Sequence, residues 1–509
     1  MSSASSLAPS SRIRTDADHL GGPPAKNDNA PMTPEEFRRA GHELIDWIAD
    51  YREGIESLPV RAQVAPGDVR ARFDSHPPAG GDSIGDLIDS LDTDIVPGVT
   101  QVQHPMHFGW FPSNASLASV LGDIASSGIG SLGISWESSP ALTEVEEVVC
   151  DWMRRLVGLS DAWKGTIHDT ASTASLIALL VARERASGLS LNHGGLQGLE
   201  APLIVYTTKH AHSSVAKAAM LAGYGRDNIR MVECDEHMAM GPEALADSIE
   251  TDVSSGAVPA VIVATVGTTA NTAMDPIDEI VAVAAQRGVF VHVDAAMAGS
   301  AMLLPERRHL WEGVEGVDSI SWNPHKWMGT ILDTSLFYMR DIDLLTRVMS
   351  TNPTYLQSAT EGAVTQFRDW GIPLGRRFRA LKLLFHLRID GIEAIRDRIR
   401  RDLANAEWLA GEVLVAPGWE LVAPLSLQTV CVRHRPEDLG GEALDEHTRR
   451  WVEAINRSGE AYLTASELDD GWMARVSIGV EMTERHHVER MWGLMKRAAE
   501  TSAGAATRA

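Results

Sequence analysis

From about residue 116 onward, short apolar runs rich in β-branched residues alternate with longer segments of helical periodicity. A mainly parallel sheet with helices on both faces satisfies such a pattern, because each parallel crossover needs a long connection and each strand is then buried on two sides. The spacing predicts strands at 202–206, 260–266, 289–294, 318–322 and 335–339, and helices at 139–156, 172–186, 214–222 and 278–286. Ligand groups in α/β sheets of this kind gather beyond the C-terminal ends of the strands. Asp294 and the stretch 323–326 stand at two such ends.

A chain of 509 residues is long for one hydrophobic core, so a large domain with smaller companions is expected. The first thirty residues or so are rich in Ser, Ala, Pro, Asp and Asn and read as a solvated tail. Thr33-Pro34-Glu35-Glu36 carries a capping-box signature, and Phe37, Leu44, Ile45, Ile48 and Tyr51 then recur as a helical stripe that needs a surface to cover it. The expected division is a tail at 1–31, an N-terminal helical segment at 32–115, a large domain at 116–400, a smaller C-terminal α/β domain at 401–498 and a second tail at 499–509. One long amphipathic helix is expected to run from Arg376-Arg377-Phe378-Arg379 towards Glu407, followed by strands at 427–433 and 474–478.

Charge and cysteine usage exclude several function classes. The formal net charge of −24 repels phosphate backbones, and no basic stripe with interleaved aromatics overrules it, so no nucleic acid is expected as a partner. Cys150, Cys234 and Cys431 are widely spaced and form no CxxC pair, which signals neither a disulfide framework nor a metal site and fits a reducing cytoplasm. No stretch approaches the ~18 uninterrupted apolar residues of a membrane span.

Only seven lysines occur, and Lys326 lies in the apolar stretch Ser-Ile-Ser-Trp-Asn-Pro-His-Lys-Trp-Met-Gly, where a solvated ammonium has no evident place. Desolvation lowers a lysine pKa, the condition for a nucleophilic or Schiff-base amine. Asp294 closes the β-like run Gly-Val-Phe-Val-His-Val-Asp, and small residues follow it from Ala295 onward. His212 follows the strand at 202–206, and Asp169 to Ser175 leads into an apolar helix whose start offers free N–H groups and hydroxyls to an anion. Asn323 adds a side-chain donor just before the lysine. An amine, a carboxylate to keep a pyridine nitrogen protonated, a flat ring and a phosphate seat are the parts of a pyridoxal 5'-phosphate site. A snorkelling lysine and a helix-capping aspartate are the plainer readings of the same residues.

Five stretches in order, Ala-His-Ser-Ser-Val at 211–215, His-Val-Asp-Ala-Ala at 292–296, Asn-Pro-His-Lys-Trp at 323–327, Asn-Pro-Thr-Tyr-Leu at 352–356 and Ile-Pro-Leu-Gly-Arg-Arg-Phe-Arg at 372–379, are the most specific parts of a likeness that covers about 32–498. Together they resemble the group II pyridoxal-phosphate amino-acid decarboxylases, and within them the aromatic-L-amino-acid decarboxylases. The resemblance implies the fold type I of pyridoxal-phosphate-dependent transferases and a homodimer with the active site at the subunit interface, embraced by the N-terminal helices. It makes Lys326 the residue linked to the cofactor, Asp294 the partner of the pyridine nitrogen and His212 the ring stacked on it. Ala171, Ser172 and Asn323 would hold the phosphate, Thr269 and Ala296 would line the cofactor, and His325 would touch cofactor or substrate. Tyr355 matches the tyrosine of a catalytic lid that protonates the α-carbon.

The resemblance places Trp110, Phe111, Pro112 and Val102 in the substrate pocket, with Leu132 and Ile134 reaching in from the other subunit. Trp110 stands where animal relatives carry a tyrosine and Val102 where they carry a tryptophan. The pocket suits an aromatic side chain, and no basic residue is expected in it to pair with a side-chain carboxylate. Relatives that form aldehydes tend to alter the tyrosine or the stacked histidine, and this chain keeps both. Decarboxylation of tryptophan, tyrosine, phenylalanine or dihydroxyphenylalanine is therefore expected. An aldehyde-forming enzyme, a decarboxylase of acidic or aliphatic amino acids, and a catalytically inert regulator with the same fold are the alternatives.

Overall fold

The computed structural model describes residues 31–351 and 362–506. They divide into two compact units, 31–52 with 64–97, and 53–63 with 98–506. In the first, Thr33 and Glu36 form the reciprocal capping box that starts the helix Pro34–Glu53: Glu36 N–H donates to Thr33 Oγ1 at 3.2 Å and Thr33 N–H to the Glu36 carboxylate at 2.8 Å. Trp47 stacks on Tyr51 one turn later and donates through its indole N–H to Asp92. Phe37 stays 65% exposed, so part of the apolar stripe is uncovered in the single chain.

The second unit carries two sheets. Strands β1 (Lys164–His168), β2 (Leu203–Thr207), β3 (Ile229–Met231), β4 (Val258–Thr265), β5 (Phe290–Asp294), β6 (Ser319–Trp322) and β7 (Ser335–Met339) form one of seven strands in the order β1-β7-β6-β5-β4-β2-β3. The α/β architecture expected from the sequence is borne out. Strands β3, β2, β4, β5 and β6 run parallel, while β7 is antiparallel to both β6 and β1. The link from β6 turns back along the sheet without a helical crossover, and that turn carries Lys326. A smaller antiparallel sheet, in the order β10-β11-β9-β8, contains β8 (Trp419–Leu421), β9 (Thr429–His434), β10 (Thr464–Leu468) and β11 (Gly471–Ser477).

Several expectations need correction. The helix after Arg379 is two helices, Ala380–Ile389 and Ile392–Val415, interrupted at Asp390-Gly391. Gly391 takes φ +76° with ψ 154°, extended backbone at positive φ that breaks the helix and that glycine adopts at little cost. The expected C-terminal tail begins as helix: Arg485–Ala506 runs through it, with Ala499 buried. Residues 98–115 go with the larger unit, because Met106 and Phe108 pack into the core beneath the smaller sheet. Strands β1, β3, β8 and β10 were not anticipated; they are short or mix polar residues into the run, so periodicity alone does not expose them.

Burial sets the pH response of the fold. His107, His168, His292, His325 and His386 are all buried. Desolvation holds their pKa values down, to about 4, 3, 4, 4 and 3 respectively. The unfolded chain binds these protons below about pH 6.5 while the folded chain refuses them, so their contribution to stability is complete above that pH and is lost as pH falls. Asp275 and Asp402 act in the opposite sense, burial raising both to about 6, which offsets part of the loss below that pH. The expected net loss between about pH 7 and pH 5 is on the order of a few kcal/mol. Calorimetry should give a lower Tm at the acidic pH, and an unchanged Tm would contradict this assignment of neutral histidines.

Candidate functional site

Strand β6 ends at Trp322, and the chain turns through Pro324–Met328, leaving helical backbone angles at Lys326. That turn is clamped from several sides. Arg398 donates to the carbonyls of Trp327 and Met328 at 2.6 and 2.5 Å, Trp327 Nε1 donates to the buried Asp402 at 2.9 Å, and Asn114 Nδ2 donates to the Lys326 carbonyl at 3.3 Å. The lysine Nζ lies 5.3 Å from the centre of the Phe111 ring. Burial lowers its pKa, the Asp294 charge opposes that shift, and Arg475 adds to it.

Asp294 closes β5 in the middle of the sheet, paired in register with Thr265 of β4 and Ser321 of β6. It is 3% exposed, and one of its oxygens accepts from Ala296 N–H at 2.9 Å. His212 caps the helix Ser213–Leu221: its Nδ1 accepts from Ser214 N–H at 3.2 Å and lies 2.7 Å from Ser214 Oγ. Desolvation first, and Lys326 second, lower its pKa, so the ring is neutral at pH 7 with its proton on Nε2. His325 Nδ1 likewise accepts from Thr334 N–H at 3.0 Å. Ala171 and Ser172 open the helix Ala171–Ala186, whose first N–H groups receive no side-chain cap from Thr170.

All nine residues read from the sequence as cofactor contacts, Ala171, Ser172, His212, Thr269, Asp294, Ala296, Asn323, His325 and Lys326, line one cavity of ≈ 210 Å³. A second cavity of ≈ 670 Å³ shares Phe111, His212, Thr269, His325 and Lys326 with it and adds Trp110 and Pro112. Val102, Leu132 and Ile134 line neither cavity. Tyr355 lies outside the described residues. Among the described residues no cluster of three or more His, Cys, Asp or Glu is arranged to hold a metal ion, and no helix is long and apolar enough to cross a membrane.

One expectation about the pocket is overturned. A basic residue does face the larger cavity: Arg475 of β11 is 3% exposed, donates through Nε to the Ala270 carbonyl at 2.7 Å, and has no hydrogen-bond partner for Nη2 among the described residues. The sequence signal was available as a lone arginine inside the apolar strand Met-Ala-Arg-Val-Ser-Ile. Its place beside Lys326 was not, because it comes from the other sheet.

A family model described as the pyridoxal-dependent decarboxylase conserved domain matches residues 66–435, and the chain belongs to that family. It is 38% identical to tryptophan decarboxylase 2 of Oryza sativa subsp. japonica, over 92% of this chain and 95% of the relative. Phenylacetaldehyde synthase of Arabidopsis thaliana is 37% identical, over 92% and 96%. The crystal structure of Oryza sativa TDC with PLP and tryptamine superposes with a TM-score of 0.89 at 35% identity, covering 93% of this chain and 99% of that one. The protein is thus a pyridoxal-phosphate-dependent decarboxylase with the fold that the resemblance implies.

The residues fit the cofactor. Asn323 Oδ1 and Thr265 Oγ1, both at the smaller cavity, are buried without hydrogen-bond partners among the described residues, a cost that a bound polar group relieves. The uncapped helix start suits a phosphate, and Lys326 and Asp294 offer the amine and the carboxylate. Lys326→Ala should lose the visible absorbance of the lysine-linked cofactor together with turnover. Asp294→Asn should keep the absorbance but slow decarboxylation by about 10²–10³, the usual cost of removing one charge-stabilising group. An active, coloured Lys326→Ala protein would place the site elsewhere.

Proposed function

We propose that this chain removes the carboxyl group of an aromatic L-amino acid as carbon dioxide and releases the amine, acting as a cytoplasmic homodimer. The observation that carries the reading is the larger cavity, which joins Lys326 to a wall made of Trp110 and Phe111. Flat apolar walls reward a flat apolar side chain. The tryptophan decarboxylase among the relatives supports the same substrate class.

When bound, pyridoxal phosphate supplies an electron sink for the pair left behind as carbon dioxide departs. The lowered pKa of Lys326 favours the unprotonated amine, the form that would hold the cofactor through its aldehyde. Asp294, at the same cavity, would keep the cofactor's ring nitrogen protonated. His212 offers a flat neutral ring and an Nε2 proton at the cavity, and Arg475 offers a cation to the substrate carboxylate. Lys209, also at this cavity, is already paired with Asp469, so a side-chain carboxylate finds no second free cation among the described residues there. That favours an aromatic over an acidic substrate. Tyr355 is the proposed donor of the proton that the α-carbon gains.

The dimer has a surface to use. Leu117, Leu121 and Ile124 recur along one face of the helix Leu117–Ile129 and are 48%, 46% and 43% exposed, an apolar stripe that a second copy would cover. Leu132 and Ile134, which miss the cavities of their own chain, are proposed to complete the pocket across that dimer.

Phenylacetaldehyde synthase among the relatives keeps the aldehyde-forming reading in view. His212 and Tyr355 are both retained, which favours the amine. The holoenzyme, incubated with the twenty amino acids and dihydroxyphenylalanine, should give aromatic amines by mass spectrometry without hydrogen peroxide. Tyr355→Phe should cut amine formation by about 10²–10⁴. Aldehyde and peroxide from the wild type, or turnover of acidic amino acids alone, would contradict the proposal.

A further inference from the structure

Trp110 forms part of the substrate-cavity wall, and within its own segment the His107 ring packs against it at 5.5 Å, tilted by 51°. The residue is 48% exposed and adopts φ +50°, a left-handed conformation that side chains other than glycine rarely take. The remaining contacts come from Thr464 of the edge strand β10 and from Tyr462, two residues before it. Phe108 N–H donates to the Tyr462 carbonyl at 2.9 Å, Tyr462 N–H donates to the Met106 carbonyl at 3.2 Å, and Trp110 N–H donates to Thr464 Oγ1 at 2.7 Å. The Tyr462 ring then packs on two rings of the wall segment. It stacks on His107 at 5.3 Å with 16° between planes, and it meets Trp110 at 5.1 Å and 55°. Gly109 makes this possible, since a Cβ there would stand 2.2 Å from Tyr462 Cδ1. Tyr462 itself lines neither the cofactor cavity nor the substrate cavity.

We infer that Tyr462 is a positioning residue that sets substrate selectivity by holding the Trp110 indole as the wall against which a flat side chain lies. The inference rests on the aromatic-substrate reading above. Without the tyrosine ring the indole loses one of its two tilted neighbours and the other, His107, loses its stacking partner, so the indole turns on an already strained backbone and the cavity distinguishes aromatic from branched aliphatic side chains less sharply. The carboxyl group, the α-carbon and Lys326 are untouched, so the effect should appear in KM and not in kcat.

The test compares steady-state kinetics of the holoenzyme and its variants on tryptophan, tyrosine, phenylalanine and leucine. Tyr462→Leu should raise KM for the preferred aromatic substrate about 3–10-fold, the range a lost aromatic contact allows, with kcat changed less than about twofold. Tyr462→Phe should restore wild-type KM. The Trp110→Leu/Tyr462→Leu double variant should be no worse than Trp110→Leu alone, because one residue acts through the other. If Tyr462→Leu does not fold, Gly109→Ala disturbs the same contact from the opposite side and should give the same rise in KM and the same loss of selectivity. Independent, multiplying effects of the two leucine substitutions, or a fall in kcat common to all substrates at constant KM, would overturn the inference. A wild type that turns over no aromatic amino acid would instead overturn the proposed function, and the inference with it.

Discussion

The rest of the site is arranged around a lysine amine held out of water next to a buried carboxylate. An isolated ammonium would not stay at such a place, because the cost of desolvation would protonate less of it or pull it to the surface. The fold prevents the second outcome by fixing the backbone at Lys326 and just after it. Arg398 holds the Trp327 and Met328 carbonyls, Asp402 holds the Trp327 indole, and Asn114 bridges the Lys326 and Gly479 carbonyls. What remains is the first outcome, a lysine whose lowered pKa makes it reactive.

The sheet supplies the rest by its direction. Strands β4, β5 and β6 run parallel and end side by side, so Thr265, Asp294 and the turn after Trp322 arrive at one edge without any of them being close in sequence. The helix start at Ala171 and the cap at His212 reach the same cavity from segments that follow β1 and β2. The smaller sheet then closes the substrate side. It contributes Arg475 from β11 and, through Tyr462 and Thr464, the position of Trp110. The smaller cavity is therefore lined from the large sheet and the segments that follow its strands, while the larger one also draws on the smaller sheet and on the segment of Trp110, Phe111 and Pro112.

This division explains what could be read from residues alone. Asp294 and Lys326 announce themselves because each puts a charge at the end of a short apolar run, where local pattern and strand direction give the same answer. Strand β7 was placed residue for residue, but its antiparallel direction was not, since direction depends on how the connection turns and not on strand composition. The interruption at Gly391 was locally encoded and overlooked within a strong helical pattern. Arg475 and Tyr462 are a different case. Their partners lie far away in the chain, and nothing in Met-Ala-Arg-Val or Glu-Ala-Tyr-Leu specifies which cavity the folded chain will bring to them.

The most direct test of the buried-amine claim is to trap the lysine chemically. The holoenzyme is reduced with borohydride, digested, and mapped by mass spectrometry for the pyridoxyl mass. The account predicts that the modification falls on the peptide containing Lys326 and on none of the other six of the chain's seven lysines. Modification of Lys209, which shares the larger cavity, or of any other lysine in place of Lys326 would contradict it.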